Sequence, residues 1–115
     1  MDFNAYILDW TINEYDGLLA TLQEDGFSLQ REDHKPHVRV AVPFSRVKEF
    51  AELIQSHLNA PFNYVDIQYL DLKKVVILFQ GKTFIIESKE QNEEVKKWAI
   101  NLGLPPKQAD WTWRF

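Results

Sequence analysis

The chain has 115 residues, no cysteine and a net charge of −4, with 17 acidic residues against 13 basic ones. This length predicts a single domain, spanning 1–115, that buries enough surface to fold without disulfide bonds or a thiolate metal site. The basic residues are scattered and form no basic stripe, so the composition argues against binding to a nucleic-acid backbone.

The first predicted element is a helix over residues 11–25, "TINEYDGLLATLQED". Its apolar residues recur at spacings of three and four, and Thr11 with Glu14 has the pattern of a capping box. Gly26 is suited to the C-terminal stop. The preceding segment "FNAYILDW", residues 3–10, is ambiguous, because it could extend this helix or form a short strand.

Two half-buried strands and a second helix come next. Apolar and polar residues alternate over 27–31 and over 38–42, and the polar turn "EDHKP" joins the two runs. Residues 45–58, "SRVKEFAELIQSHL", have helical periodicity, with Ser45 as the predicted N-cap.

Three strands then follow in quick succession, "YVDIQYL", "KVVILFQ" and "KTFIIES", with a hairpin turn at Gly81 between the last two. The middle strand is apolar on both faces. Val75, Ile77 and Phe79 point to one side, and Val76 and Leu78 point to the other. Such a strand requires cover on both faces, which either helices of the same chain or a second copy could supply.

The last helix has the clearest boundaries. Ser88 and Gln91 can form a capping box, and Gly103 ends the pattern. The segment 103–115 remains as an aromatic C-terminal tail.

These elements predict an α+β, sandwich-like fold in the order α-β-β-α-β-β-β-α, with a mainly antiparallel five-stranded sheet and helices on both faces. This order is similar to that of the roadblock and longin families, small α/β modules of protein-assembly and trafficking complexes. The similarity implies a non-enzymatic interaction module and assigns no site residue.

The segment "FIIESK", residues 84–89, resembles the Glu-x-Lys motif of the restriction-endonuclease-like superfamily. The resemblance implies that Asp66, Glu87 and Lys89 could hold Mg²⁺ and orient water for attack on a phosphate. The simpler interpretation is that Glu87 and Lys89 are solvated residues where a strand meets a helix. We favour it, because a whole strand separates the two acids and basic residues that would hold DNA are lacking.

Histidines offer no second candidate. His34 and His37 flank "KP" in a turn without a third ligand, so we expect no metal and no cofactor. His57 is expected at the boundary of the second helix.

Aromatic residues make up 14% of the chain, including four tryptophans, and rings of this kind serve both cores and interfaces. In the tail, Trp111, Trp113 and Phe115 alternate with polar residues. The tail could fold back and cap the core near Trp10 or Trp98, or its rings could project as a docking patch. The predicted partner contacts are Trp10, Trp111, Trp113 and Phe115.

The sequence therefore favours a small, non-catalytic, protein-binding or regulatory module that could be a homodimer. The longest apolar run, "VVILF", is far shorter than the roughly 20 residues that cross a bilayer, and the N-terminus lacks the pattern of a secretory signal. We expect a cytoplasmic protein without membrane or nucleic-acid partners. One alternative is a toxin-neutralising immunity protein, whose acidic patch would gather Asp66, Glu90, Glu93 and Glu94. The other is the metal-dependent nuclease.

Overall fold

The structure, a computed structural model, describes residues 2–31 and 35–113. Within these ranges the strands are β1 (Ala5–Leu8), β2 (Ser28–Arg31), β3 (His37–Ala41), β4 (Val65–Tyr69), β5 (Lys74–Phe79) and β6 (Lys82–Ile86). The helices are α1 (Tyr15–Glu24), α2 (Val47–Gln55) and α3 (Lys89–Leu102), with short 3-10 turns at Asp9–Thr11, Phe44–Arg46 and Pro106–Gln108. The predicted α+β class is confirmed.

The six strands form one sheet in the order β2-β3-β1-β4-β5-β6, and every neighbouring pair is antiparallel. The prediction of five strands is wrong by one, because residues 5–8 of the ambiguous segment form β1. This strand lies in the middle of the sheet, where Ala5 pairs with Val40 of β3 and with Ile67 of β4. The element order behind the similarity to roadblock and longin modules therefore gains a strand at its start.

The alternation of buried and exposed side chains along β1 explains its place in the sheet. Ala5 and Ile7 are fully buried on one face of the sheet, whereas Tyr6 is exposed on the other. The side chain of Asn4 continues the pairing, because its Nδ2 donates to the Val42 carbonyl at 3.1 Å and its Oδ1 accepts from the Val42 amide at 2.9 Å. This amide clamp ties the start of β1 to the end of β3.

The predicted start of the first helix is wrong. The Thr11 hydroxyl donates back to the Leu8 carbonyl at 2.8 Å, inside the 3-10 turn that follows β1. Glu14 has a left-handed backbone with φ of 53° and caps nothing with its side chain, so the Thr11–Glu14 capping box does not form. Ile12 pairs with Leu58 in an isolated bridge, which fixes the link before α1 to the end of α2.

Of the other predicted helix boundaries, the start of α2 is wrong, and the start and end of α3 are confirmed. Ser45 lies within a 3-10 turn and is not the N-cap of α2, which begins at Val47. At α3 the Ser88 hydroxyl accepts from the Gln91 amide at 3.2 Å, as predicted. Gly103 ends α3 with φ of 124°.

The two-sided strand β5 has cover on both faces. Val76 and Leu78 join the core under α1 and α2, which we name the first face. Val75, Ile77 and Phe79 join a second core under α3 and the tail, which we name the second face. The prediction of helices on both faces is thereby confirmed.

The cover on the second face is unequal. The second core draws its strand residues from β5 and β6, and none of its members belongs to β1, β2 or β3 within the part of the chain that the structure describes. Outward residues of those three strands, such as Tyr6 and Gln30, are exposed there. As far as the structure describes the chain, half of the second face is therefore open.

The described residues include no helix with the length and apolar character needed to cross a bilayer.

We predict that Phe79→Ala costs about 3–5 kcal/mol of unfolding free energy, since Phe79 is fully buried and contacts the rings of Phe84 and Trp98. Denaturant unfolding measures the change. The control is Ile85→Ala, whose side chain is 44% exposed and which should lose less than about 1 kcal/mol. Equal losses in the two variants would show that the second core is not packed around Phe79.

Replacing Gly17 of α1 and Gly103 at the end of α3 by alanine should change the stability of the protein in opposite directions. Gly17 is in the interior of α1, and an added Cβ would meet nothing within 4 Å, so Gly17→Ala should stabilise by about 0.5–1 kcal/mol. Gly103→Ala should destabilise by about 1–2 kcal/mol because its φ is 124°. Thermal unfolding of both variants checks the opposite signs, and a destabilised Gly17→Ala would contradict the packing of α1.

Candidate functional site

The open half of the second face carries a row of polar and aromatic side chains. The register places Tyr6 of β1 beside Arg39 of β3, which lies beside Gln30 of β2. The Arg39 guanidinium lies 4.8 Å from the centroid of the Tyr6 ring, and the His37 ring lies 5.5 Å from the same ring. Arg39 Nε and His37 Nε2 are buried and have no hydrogen-bond partner among the described residues. Tyr6 is thus the centre of a small cationic and aromatic cluster.

A cleft of about 450 Å³ opens where β1 and β4 separate. The two strands share the single pair Ala5–Ile67, after which β1 turns away into the 3-10 turn Asp9–Thr11. The tail forms the opposite wall. The lining residues of this first cleft are Tyr6, Leu8, Trp10, Thr11, Asn63, Tyr64, Asp66, Leu104, Lys107, Gln108 and Asp110.

A second cleft of similar volume, about 450 Å³, adjoins the first. Both clefts are lined by Tyr6, Asp66 and Asp110, and the second adds Asp2. The described residues of its walls thus include three acidic side chains and no basic one. The pair of clefts is a mainly acidic depression with aromatic walls.

Asp66 is the least solvated of these acids. It projects from β4 to the second face, and the Gln68 Nε2 donates to its Oδ2 at 3.1 Å. Burial raises the pKa of its carboxyl, hydrogen bonds from Gln68 and the backbone lower it, and the nearby Asp110 charge raises it further. No basic side chain of the described residues forms an ion pair with it. Within residues 2–31 and 35–113 the Asp66 charge therefore has no counter-ion.

The tail is fastened over the clefts by Tyr64. Its hydroxyl donates to the Gln108 carbonyl at 2.8 Å and to Asp110 Oδ1 at 3.0 Å. The Trp111 ring packs edge-on against the Tyr64 ring, with 4.8 Å between centroids. Burial and the Asp110 carboxylate raise the pKa of Tyr64, so this hydroxyl stays protonated and keeps donating. Asp110 is consequently held at the rim that the two clefts share.

The predicted partner contacts divide into three groups. Trp10 is 62% exposed at the mouth of the first cleft. Trp111 is only 4% exposed and belongs to the second core, against which the half-buried Trp113 also packs. Phe115 lies outside the described residues. As far as Trp113 the tail folds back and caps the core, so Trp10 is the predicted contact that is open to a partner.

The three residues of the nuclease alternative are not brought together. Asp66 lies opposite Ile77, which lies opposite Phe84. Glu87 follows β6 three residues after Phe84, so the spacing of strands places it roughly 14 Å from Asp66. The Glu87 amide donates to Gln91 Oε1 at 2.7 Å, and Lys89 is the first residue of α3. Both are exposed, as the simpler interpretation expects.

His37 and His57 are also apart. His34 lies outside the described residues, His37 packs against Tyr6, and His57 Nδ1 donates to the Leu53 carbonyl at 2.9 Å. In residues 2–31 and 35–113 no three His, Asp or Glu side chains are arranged to hold a metal ion.

Sequence reasoning missed Tyr6, Tyr64 and Asp110 as site residues. The alternation in "AYIL" is a signal for Tyr6, because it faces away from Ala5 and Ile7 once the segment is a strand. Tyr64 and Asp110 have no comparable signal, because the contact between them joins residues 46 positions apart in loop and tail.

Comparison of the chain with protein-family models, with curated proteins and with solved structures found no match.

The raised pKa of Asp66 predicts that Asp66→Asn stabilises the fold at neutral pH. Because the folded pKa lies above the unfolded one, the contribution of Asp66 is fully present below about pH 3.9 and is lost as the pH rises through that value and the folded pKa. Asparagine removes this loss and keeps an oxygen for Gln68. Urea unfolding should show a higher midpoint for the variant at pH 7 and equal midpoints near pH 3.

The matched control is Asp16→Asn, which makes the same change of charge at an exposed position of α1. It should not raise the midpoint at either pH value, and it should lower it slightly at pH 7, because Asp16 lies in the first turn of α1, where a negative charge is favourable. A lower midpoint for Asp66→Asn at pH 7 would mean that the folded state prefers the ionised carboxylate.

Proposed function

We propose that the protein is a small, non-catalytic, protein-binding module of the cytoplasm and that a partner covers the open half of the second face. One observation carries the proposal. The exposed ring of Tyr6 lies beside both clefts and that of Trp10 beside the first, at the edge of a half-sheet that no helix of the described residues covers. Exposed aromatic rings beside a cleft are typical anchors of protein interfaces.

The chemistry of this surface supports binding over catalysis. Its titratable groups are spread along the row Arg39, Tyr6 and Asp66, and the Tyr6 ring packs against the guanidinium of Arg39. Among the described lining residues, Tyr64 and Asp110 form a hydroxyl–carboxylate pair, but burial raises the pKa of Tyr64, so its hydroxyl stays protonated and holds the tail. The orphan donors Arg39 Nε and His37 Nε2 would gain acceptors when a partner covers them.

A second copy of the chain is one form that the partner could take. Both faces of β5 are already covered within one chain, so a homodimer is not needed to bury that strand. It would have to use the open half-sheet instead. The oligomeric state is therefore an outcome of the experiment below.

The immunity-protein alternative draws support from the acidic clefts, since a basic toxin would complement them. The patch expected from four residues is, however, divided. Asp66 lines the clefts beneath the tail, whereas Glu94 lines a groove between α3 and β6. The acidic surface that would meet a basic partner consists of Asp2, Asp66 and Asp110.

Trp10→Ala should abolish partner binding without unfolding the protein, because its ring is 62% exposed and contributes little to the core. Tagged wild type and variant are used as baits in cells that naturally contain the protein, and each candidate partner is purified and tested by calorimetry. A true partner should lose affinity by at least about 30-fold with the variant, as for a truncated hot-spot residue.

Ile100→Ala on α3 is the matched control, since it truncates another exposed apolar side chain away from the clefts. Sedimentation of the same proteins measures self-association. If purified partners bind Trp10→Ala as tightly as wild type, or if Ile100→Ala alone weakens them, the open half-sheet is not the contact surface.

A further inference from the structure

The two clefts contain acidic side chains that form no ion pair among the described residues. Asp66 and Asp110 line both clefts; among the described residues Asp66 has one side-chain amide donor, Gln68, and no ion pair, and Asp110 is held by Tyr64. A half-buried carboxylate in this position carries a desolvation cost, so a cation that enters between these two groups lowers a cost that the free protein carries.

Among the described residues, Arg39 does not supply that cation. Arg39 lies on one side of Tyr6 and Asp66 on the other, as the register of β3, β1 and β4 requires. The guanidinium is already stacked on the Tyr6 ring at 4.8 Å. Lys107 lines the first cleft but forms no ion pair with either acid, and no base is among the described residues that line the second cleft.

The walls of the first cleft favour an organic cation. Tyr6, Tyr64 and Trp10 present rings to it, and aromatic faces attract ammonium and guanidinium groups. A divalent metal ion is a poorer fit, since the described residues hold no cluster of three acidic or imidazole ligands. A volume of about 450 Å³ is within the range of sites that enclose a ligand group.

We propose that the clefts receive a basic side chain of the partner protein, with its charged group between the Asp66 and Asp110 carboxylates and its stem along the rings of Tyr6 and Tyr64. The proposal rests on the protein-binding function and specifies the chemistry of the partner. Arginine is favoured over lysine, because a planar guanidinium can pair with carboxylates and stack on a ring at once.

The test uses the blocked tripeptides Gly-Arg-Gly, Gly-Lys-Gly and Gly-citrulline-Gly, titrated into the ¹⁵N-labelled protein and followed by amide chemical shifts. The arginine peptide should shift the amides of Tyr6, Asp66 and Asp110 with a dissociation constant of order 1 mM. The lysine peptide should bind more weakly. The citrulline peptide, which has the same shape without the charge, should not shift them.

Asp66→Asn should weaken the arginine peptide by at least about tenfold, and Asp16→Asn should leave its affinity unchanged. Amide spectra of the free variants show that each remains folded. Equal binding of the citrulline peptide, unchanged binding to Asp66→Asn, or shifts confined to residues outside the clefts would each overturn the proposal.

The outcome separates this inference from the proposed function. Arginine binding in the clefts without any partner that depends on Trp10 would leave the cation site standing and remove the docking surface. A Trp10-dependent partner whose affinity is indifferent to Asp66→Asn would do the reverse.

Discussion

The width of the sheet is the constraint on which the other features of this molecule depend. A sheet of six strands is about 24 Å across, and one helix covers about 10 Å of it. On the first face two helices share the task, but on the second α3 and the tail cover only the side of β5 and β6. The outward side chains of the uncovered strands face solvent. The clefts form at the border between the covered and the open halves of the sheet.

Local patterns in the sequence predict the covered half well. The two-sided apolar pattern of β5 predicts its burial, and the Ser88–Gln91 cap predicts the start of α3. The position of β1 could not be predicted in this way, because four residues give too few alternations and the partners of β1 lie 29 or more positions away. At Thr11 and Glu14 a cap pattern is present, but the 3-10 turn after β1 uses the Thr11 hydroxyl for itself.

The site shows the same division between local and long-range information. The exposed ring of Trp10 follows from an aromatic-rich composition, and Asp66 was singled out for a metal chemistry that the geometry does not assemble. Their actual neighbourhood depends on the turn of β1 away from β4 and on the tail held by Tyr64. Both features join distant segments, so the cleft itself could not be predicted from spacing along the chain.

The central place of β1 also has a consequence for assembly. It separates a β2-β3 hairpin from a β4-β5-β6 meander. It joins the meander through one residue pair and a hydrogen bond that the Gln68 backbone N–H donates to the Asn4 carbonyl. During synthesis, β1 leaves the ribosome about sixty residues before β4, so its hydrogen-bonding edge stays unpaired until that strand is made. The seam between β1 and β4, with these few bonds, is therefore where we expect the sheet to open first in local unfolding.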